Sequence, residues 1–290
     1  MDTVLLLISS RHEAGVSDAA AAKAAEMCRA TGPAQRLASH VLELACEEPS
    51  AGLEAALREV LAEARIDVAF LPLANRRKQL LIADMDSTFI HQECIDELGK
   101  LAGAGEEIAA ITERAMRGEL DFSGALRERV ALMAGLDENA IETVKSAHVT
   151  FTDGGRDLVQ GMRTAGAYTA LVSGGFTHFT AFVAEYCGFD ENRANRLIIE
   201  NGTLTGRIEE PALGRDAKVA AINELAARQG ITLAECLAVG DGANDIGMLE
   251  AAGLGVAFHA KPAVREAADV RIDHAGLDAL LWLQGLQGPT

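Results

Sequence analysis

The sequence predicts an α/β protein: a doubly wound parallel sheet with an inserted helical cap, preceded by a small α/β module. Three observations predict it. From Leu80 onward, short apolar runs alternate with helical patterns, the signature of βαβ units. The alternation is broken once, from about 91 to 150, by a charge-rich stretch with helical pattern only. Residues 1 to about 75 carry strand and helix patterns of their own, followed by the polar ANRRKQ at 74–79, which reads as a linker.

In the first module, Val4 to Ile8 reads as a strand and an alanine-rich helix follows, capped by Ser17. A second helix runs through LEAALREVLAEA, and Asp67 to Leu73 reads as a strand. No chemical motif stands in this module, so packing or regulation is its expected role. Leu80, Leu81, Ile82 and Ala83 then form a run apolar on both faces, as in a parallel sheet. After the helical stretch, Leu158 and Met162 share one face of a helix ending near Gly166, and AYTALVSGG reads as strand and turn. In IIENGTLTG, Asn201-Gly202 predicts a hairpin with a type I′ turn. CLAVG, LGVAF and VRI supply further strands, and a last helix carries Trp282.

Composition narrows the function. The 290 residues are 49% hydrophobic and 24% charged, enough for a sizeable core. A net charge of −17 argues against nucleic acid and anionic membrane partners. No apolar run reaches the roughly 18 residues of a membrane span, and the N-terminus is a poor signal peptide, so a cytoplasmic location is expected. The five cysteines are scattered without CxxC spacing, and the seven histidines show no HExxH. Reduced thiols and no zinc site are expected.

The chemistry concentrates in four short segments that end strands or begin helices: DMDST (84–88), VSGGF (172–176), GRDAK (214–218) and GDGANDIGML (240–249). A doubly wound sheet brings the carboxyl ends of its strands to one edge, where ligands bind. Helix capping accounts for one acceptor after a strand, not for Asp84 and Asp86 followed by two hydroxyls. Asp84 and Asp241 offer hard oxygens suited to Mg²⁺, which takes one or two carboxylates and binds substrate phosphate. Ser173 and the N–H groups of Gly174 and Gly175 form an anion-binding turn, and Lys218 adds a compact positive charge. No GxxxxGK[ST] loop is present, so ATP binding of that kind is not indicated. A carboxylate can then serve as nucleophile, and a second acid can protonate the leaving oxygen and activate water.

These four motifs, in this order, resemble those of the haloacid dehalogenase superfamily over Leu80 to about Ile272. DMDSTFIHQECIDEL and AMRGELDFSGALRERV narrow the resemblance to its phosphoserine phosphatases. The resemblance implies Mg²⁺-dependent hydrolysis of O-phospho-L-serine through an aspartyl-phosphate, the last step of serine biosynthesis. It implies Asp84 as nucleophile and Asp86 as acid/base, with Mg²⁺ held by Asp84, the backbone carbonyl of Asp86, and Asp241. Ser173, Gly174 and Lys218 would hold the phosphate and Asn244 would reach the substrate. Glu93 would take the ammonium and Arg129 the carboxylate. Phe122 and Met116 would close an apolar lid, and Asp245 would orient the lysine. Residues 1–75 resemble an amino-acid-sensing ACT-like fold in outline. Another small phosphomonoester, or transfer to an acceptor other than water, is the alternative within the same chemistry. A ligand-binding regulator is the alternative outside it. The partner expected is a phosphorylated amino acid, with a homodimer left open.

Overall fold

The structure is a computed structural model and describes residues 3–116 and 119–288. The first module runs β1 (Thr3–Ile8), α1 (Asp18–Met27), β2 (Gln35–Ala38), β3 (Val41–Cys46), α2 (Leu53–Leu61) and β4 (Asp67–Pro72). Its antiparallel sheet has the order β2-β3-β1-β4. Ser17 caps α1 as expected, its side chain accepting the Ala20 N–H. The β2–β3 hairpin has no counterpart in the sequence reading. Gln35, Arg36 and Leu37 are exposed on an edge strand, where no inward alternation is required.

The second part of the chain begins with β5 (Leu80–Ala83), followed by α3 (Cys94–Leu101), α4 (Gly105–Met116), α5 (Phe122–Ala131) and α6 (Asn139–Thr143). It continues through α7 (Gly155–Thr164), β6 (Tyr168–Phe176), α8 (Thr177–Cys187), β7 (Glu191–Asn195), β8 (Leu197–Glu200) and β9 (Thr203–Ile208). The remainder is α9 (Arg215–Gln229), β10 (Cys236–Gly240), α10 (Ile246–Ala251), β11 (Leu254–Phe258), α11 (Pro262–Ala267), β12 (Val270–Ile272) and α12 (Ala279–Leu283). The six-stranded sheet, order β12-β11-β10-β5-β6-β7, is parallel throughout. Its β7, ENRAN, is a polar edge strand that hydrophobic pattern does not reveal.

Register sets the site. Ala83 on the central strand pairs with Val239 of β10 on one side and Leu171 of β6 on the other. Asp84 and Asp241, which follow β5 and β10, and Ser173, in the last part of β6, are therefore brought to the same edge of the sheet. The cap, residues 91 to 150, leaves and returns through a short zipper. His91 N–H donates to the Thr150 carbonyl and Thr152 N–H to the Phe89 carbonyl, both at 3.0 Å. The β8–β9 hairpin turns at Asn201 (φ 51°) and Gly202 (φ 79°), the left-handed pair a type I′ turn requires. It joins the cap through Gly135 N–H to Leu204 carbonyl and Leu204 N–H to Leu136 carbonyl, each 2.8 Å.

The first module is fastened to the six-stranded part of the chain. Val4, Leu6, Ile8, Ala69 and Leu71 share one core with Leu280, Leu281 and Trp282 of α12, while α1 and α2 cover the opposite sheet face. Asp67 accepts the N–H groups of Asp273, His274 and Ala275 at 2.7, 3.1 and 2.8 Å. The segment 74–79, expected as a linker, is an anchored strap. Arg76 pairs with Glu43 at 2.7 Å and donates to the Trp282 and Leu283 carbonyls, and Lys78 Nζ donates to the Ala234 carbonyl. Among the described residues no helix is long and apolar enough to cross a membrane.

Candidate active site

A cavity of about 350 Å³ lies between the carboxyl edge of the parallel sheet and the cap. Asp84, Asp86, Glu93, Phe122, Arg129, Ser173, Gly174, Asp241 and Asn244 all line it. Lys218 and Asp245, fully buried, stand behind Asp84. Met116 closes α4, but its side chain lies outside the described residues.

Asp84 extends β5 by one bond, its N–H donating to the Val239 carbonyl at 3.0 Å. Its carboxylate accepts the Met85 N–H at 2.8 Å, lies 2.7 Å from Lys218 Nζ and receives Asn244 Nδ2 at 3.4 Å. Lys218 sits in the first turn of α9, a position unfavourable to a cation at a helix N-terminus. It is tolerated there because Asp84 and Asp245 flank it at 2.7 and 2.5 Å. Burial by itself would depress the lysine, yet the charges of Asp245 and Asp84 hold it above its ordinary value. Asp245 also accepts the N–H groups of Asp241 and Gly242, so one carboxylate fixes both the lysine and the turn carrying Asp241.

Asp86 is partly open to the cavity and accepts the Cys94 N–H at 3.1 Å. Desolvation, then the negative charges of Glu93 and Asp84, push it well above the usual carboxylate range. It is therefore suited to carry a proton beside Asp84. Asp241 is pushed up to about 6 by burial and by Asp84 and Glu93, while Thr88 Oγ1 donates to it at 3.1 Å.

Ser173, Gly174 and Gly175, expected as a turn after the strand, instead lie within β6, where its pairing with β7 shifts register between Val172 and Phe176. A Cβ on Gly175 would lie 2.5 Å from Asp86 Oδ2, and one on Gly174 would lie 2.8 Å from Phe122 Cζ. Ser173 Oγ accepts the Gly175 N–H at 3.0 Å. Phe122 opens α5 behind its cap Asp121 and packs over both Gly174 and Gly214, so the cap is closed on them. On the cap side, Glu93 precedes α3 and accepts Ser87 Oγ at 2.7 Å. Arg129 is half-buried. Burial lowers its pKa, while the charges of Asp96, Glu93 and Asp86 oppose that shift. It makes no ion pair among the described residues.

A family profile for haloacid dehalogenase-like hydrolases matches residues 81–250. A phosphoserine phosphatase of Albidiferax ferrireducens is 47% identical over 217 residues, 73% of this chain and 92% of that protein. The chain belongs to the phosphoserine phosphatases of the haloacid dehalogenase-like hydrolases. A phosphoserine phosphatase of Archaeoglobus fulgidus is 43% identical over 77% of this chain, which spans 65% of that longer relative. The crystal structure of a HAD family hydrolase from Salmonella enterica serovar Typhi superposes with a TM-score of 0.87 at 30% identity, covering 97% of this chain and 98% of that one.

The residues of this hydrolase fit a divalent cation. Carboxylate oxygens of Asp84, Asp241 and Asp245 lie within 4.8 Å of one another, all buried. Asp245 has both oxygens engaged by Lys218 and two N–H groups and does not line the cavity, so Asp84 and Asp241, which do, are the hard donors open to a cation. Mutual repulsion at Asp241 is the kind of strain a cation relieves.

Sequence reasoning missed several residues of this hydrolase. Thr88 orients Asp241, Gly214 makes room for Phe122, and Asp96, Thr112 and Lys261 line the cavity. Thr88 was signalled by the second hydroxyl of DMDST. Asp96, Thr112 and Lys261 carry no local mark, because surface acids, hydroxyls and lysines are common.

Proposed function

We propose that the protein hydrolyses O-phospho-L-serine to L-serine and phosphate in the cytoplasm, through a covalent phosphate on Asp84. One observation carries the reading: the buried Asp84 carboxylate, paired with Lys218, opens into the same cavity as Glu93 and Arg129. The first supplies a nucleophile for phosphorus. The other two match the ammonium and carboxylate of an amino acid.

Arg129 takes the substrate carboxylate and Glu93 its ammonium, which sets the phosphate against Ser173, Gly174 and Lys218, with Asn244 alongside. A carboxylate oxygen of Asp84 attacks phosphorus, and the bond from phosphorus to the serine oxygen breaks. Asp86 gives its proton to that oxygen, so serine leaves neutral at its hydroxyl. Asp86, now a carboxylate, takes a proton from water as the water attacks the phosphorus. The Asp84–phosphorus bond breaks, and free Asp84 and phosphate result. Mg²⁺ bound by Asp84, the carbonyl of Asp86, and Asp241 would neutralise charge on the phosphate oxygens. Phe122 closes the cap and keeps bulk water out during transfer.

The test is phosphate release from phosphoserine, phosphothreonine and p-nitrophenyl phosphate, with and without Mg²⁺, by wild type and Asp84→Asn. The reading requires Mg²⁺-dependent release that favours phosphoserine and disappears in Asp84→Asn. Equal turnover of all three esters would move the substrate to another phosphomonoester. Activity surviving in Asp84→Asn would remove the nucleophile assignment.

A further inference from the structure

The cavity is lined by five carboxylates, Asp84, Asp86, Glu93, Asp96 and Asp241. A phosphomonoester dianion approaching it meets like charge, in a chain that itself carries −17. Lys218 cannot offset this at the mouth. It is fully buried and already shared between Asp84 and Asp245. Among the described residues two cations line the cavity, Arg129 and Lys261. Arg129 projects from the cap and, on the proposed function, is committed to the substrate carboxylate.

Lys261 comes from the opposite wall. Its N–H donates to the Asp241 carbonyl at 3.2 Å, and Pro262 follows it, which holds its backbone extended (φ −66°, ψ 153°). The backbone is thus tied to the catalytic turn, while the side chain is exposed. It makes no ion pair among the described residues and no cap bond to α11. Burial raises the carboxyls of Glu93 and Asp241, and the charge of Lys261 acts against that at both. Lys261 thus lines the same cavity as Glu93 and Asp241, its backbone fixed beside Asp241.

We propose that Lys261 is a further substrate-binding residue, an ammonium at the cavity mouth that attracts and holds the phosphate dianion as it enters past the carboxylates. It is held to the site by its own backbone, makes no ion pair among the described residues, and lines the cavity together with five carboxylates. It acts on binding rather than on bond breaking, since Lys218, Ser173 and Gly174 surround the phosphate at transfer. The inference rests on the phosphatase reading for its reaction, but on the phosphate alone for its ligand.

The experiment compares wild type with Lys261→Ala, Lys261→Glu and Lys261→Arg, in Mg²⁺ and at low and high salt. Lys261→Ala should raise KM about fivefold and lower kcat by less, the effect of one charge partly open to water. Lys261→Glu should raise KM further, Lys261→Arg should restore most of the loss, and added salt should shrink the differences. The same factor should appear with p-nitrophenyl phosphate, and calorimetry with inorganic phosphate should show weaker binding to Lys261→Ala. Unchanged KM and phosphate affinity in Lys261→Ala would overturn the proposal. So would a loss confined to phosphoserine, which would mean that Lys261 reads the amino-acid head. A wild type that turns over p-nitrophenyl phosphate but not phosphoserine would sink the proposed substrate alone, because the p-nitrophenyl phosphate and inorganic phosphate measurements still decide the role of Lys261.

Discussion

Lys218 Nζ lies 2.7 Å from Asp84 Oδ2, with none of the lysine side chain exposed. A charge this deep is stable only while its partners are in place, and the partners depend on it in turn. Lys218→Ala leaves Asp84 and Asp245 facing one another in a site that has already pushed Asp245 up to about 7. The apo variant should lose about 3 kcal/mol of stability near pH 8. Without the lysine the folded carboxyls bind protons more tightly than the unfolded chain does. The deficit is therefore largest at high pH and narrows as acid supplies the protons. Urea unfolding across pH measures it, and a pH-independent deficit would contradict the account.

Metal binding should be visible without turnover. Mg²⁺ at about 100 times its Kd should stabilise the wild type by about 2–3 kcal/mol, and a chelator should reverse it. Asp241→Asn should lose most of the response. Protons compete for Asp241, which is pushed up to about 6, so the Mg²⁺ effect should fade as pH drops below that value. Thermal melts over a Mg²⁺ titration at two pH values decide this.

Arg129 projects into the cavity with no ion-pair partner of its own among the described residues. Arg129→Ala should cut kcat/KM for phosphoserine by roughly 100-fold, the loss of a bidentate charged contact, and p-nitrophenyl phosphate turnover by far less. Equal losses on both esters would show that the arginine serves the fold or the phosphate instead.

Phe122 rests against Gly214, where a Cβ would lie 2.8 Å from Phe122 Cδ1. Gly214→Ala should displace the ring and hold the cap partly open, raising KM and lowering kcat together, by roughly tenfold in kcat/KM. Phe122→Ala should do the same, and the double variant should be little worse than either single one. Additive losses in this cycle would mean that the two residues act separately.

Asp67 binds three backbone N–H groups, from Asp273 to Ala275, and is 1% exposed. Asp67→Ala strands those donors at the junction of the two sheets and should cost about 3 kcal/mol. Denaturant unfolding should also become less cooperative, with the first module melting ahead of the rest. A single transition at unchanged midpoint would show that the shared apolar core suffices.

The chain by itself determined the chemical inventory and the order in which it is delivered. Apolar runs ending abruptly in Asp84-Asp86, Ser173-Gly174 and Asp241 are legible because a buried strand tolerates such groups only at its end. The insertion between Ile90 and Phe151 is legible because helical period replaces strand pattern there. Tertiary structure alone decided which residues meet. The pairing of Ala83 with both Val239 and Leu171 brings Asp84, Asp241 and Ser173 to one edge, and pairing register is a long-range choice that no local window contains. The same holds for the anchored strap at Arg76, for the β8–β9 hairpin joining the cap, and for Lys261, whose place at the cavity follows from the turn that bonds it to Asp241. Local sequence records what a residue can do in water or in a core. Only the packed chain fixes its distance from a carboxylate, and electrostatic energy depends on that distance.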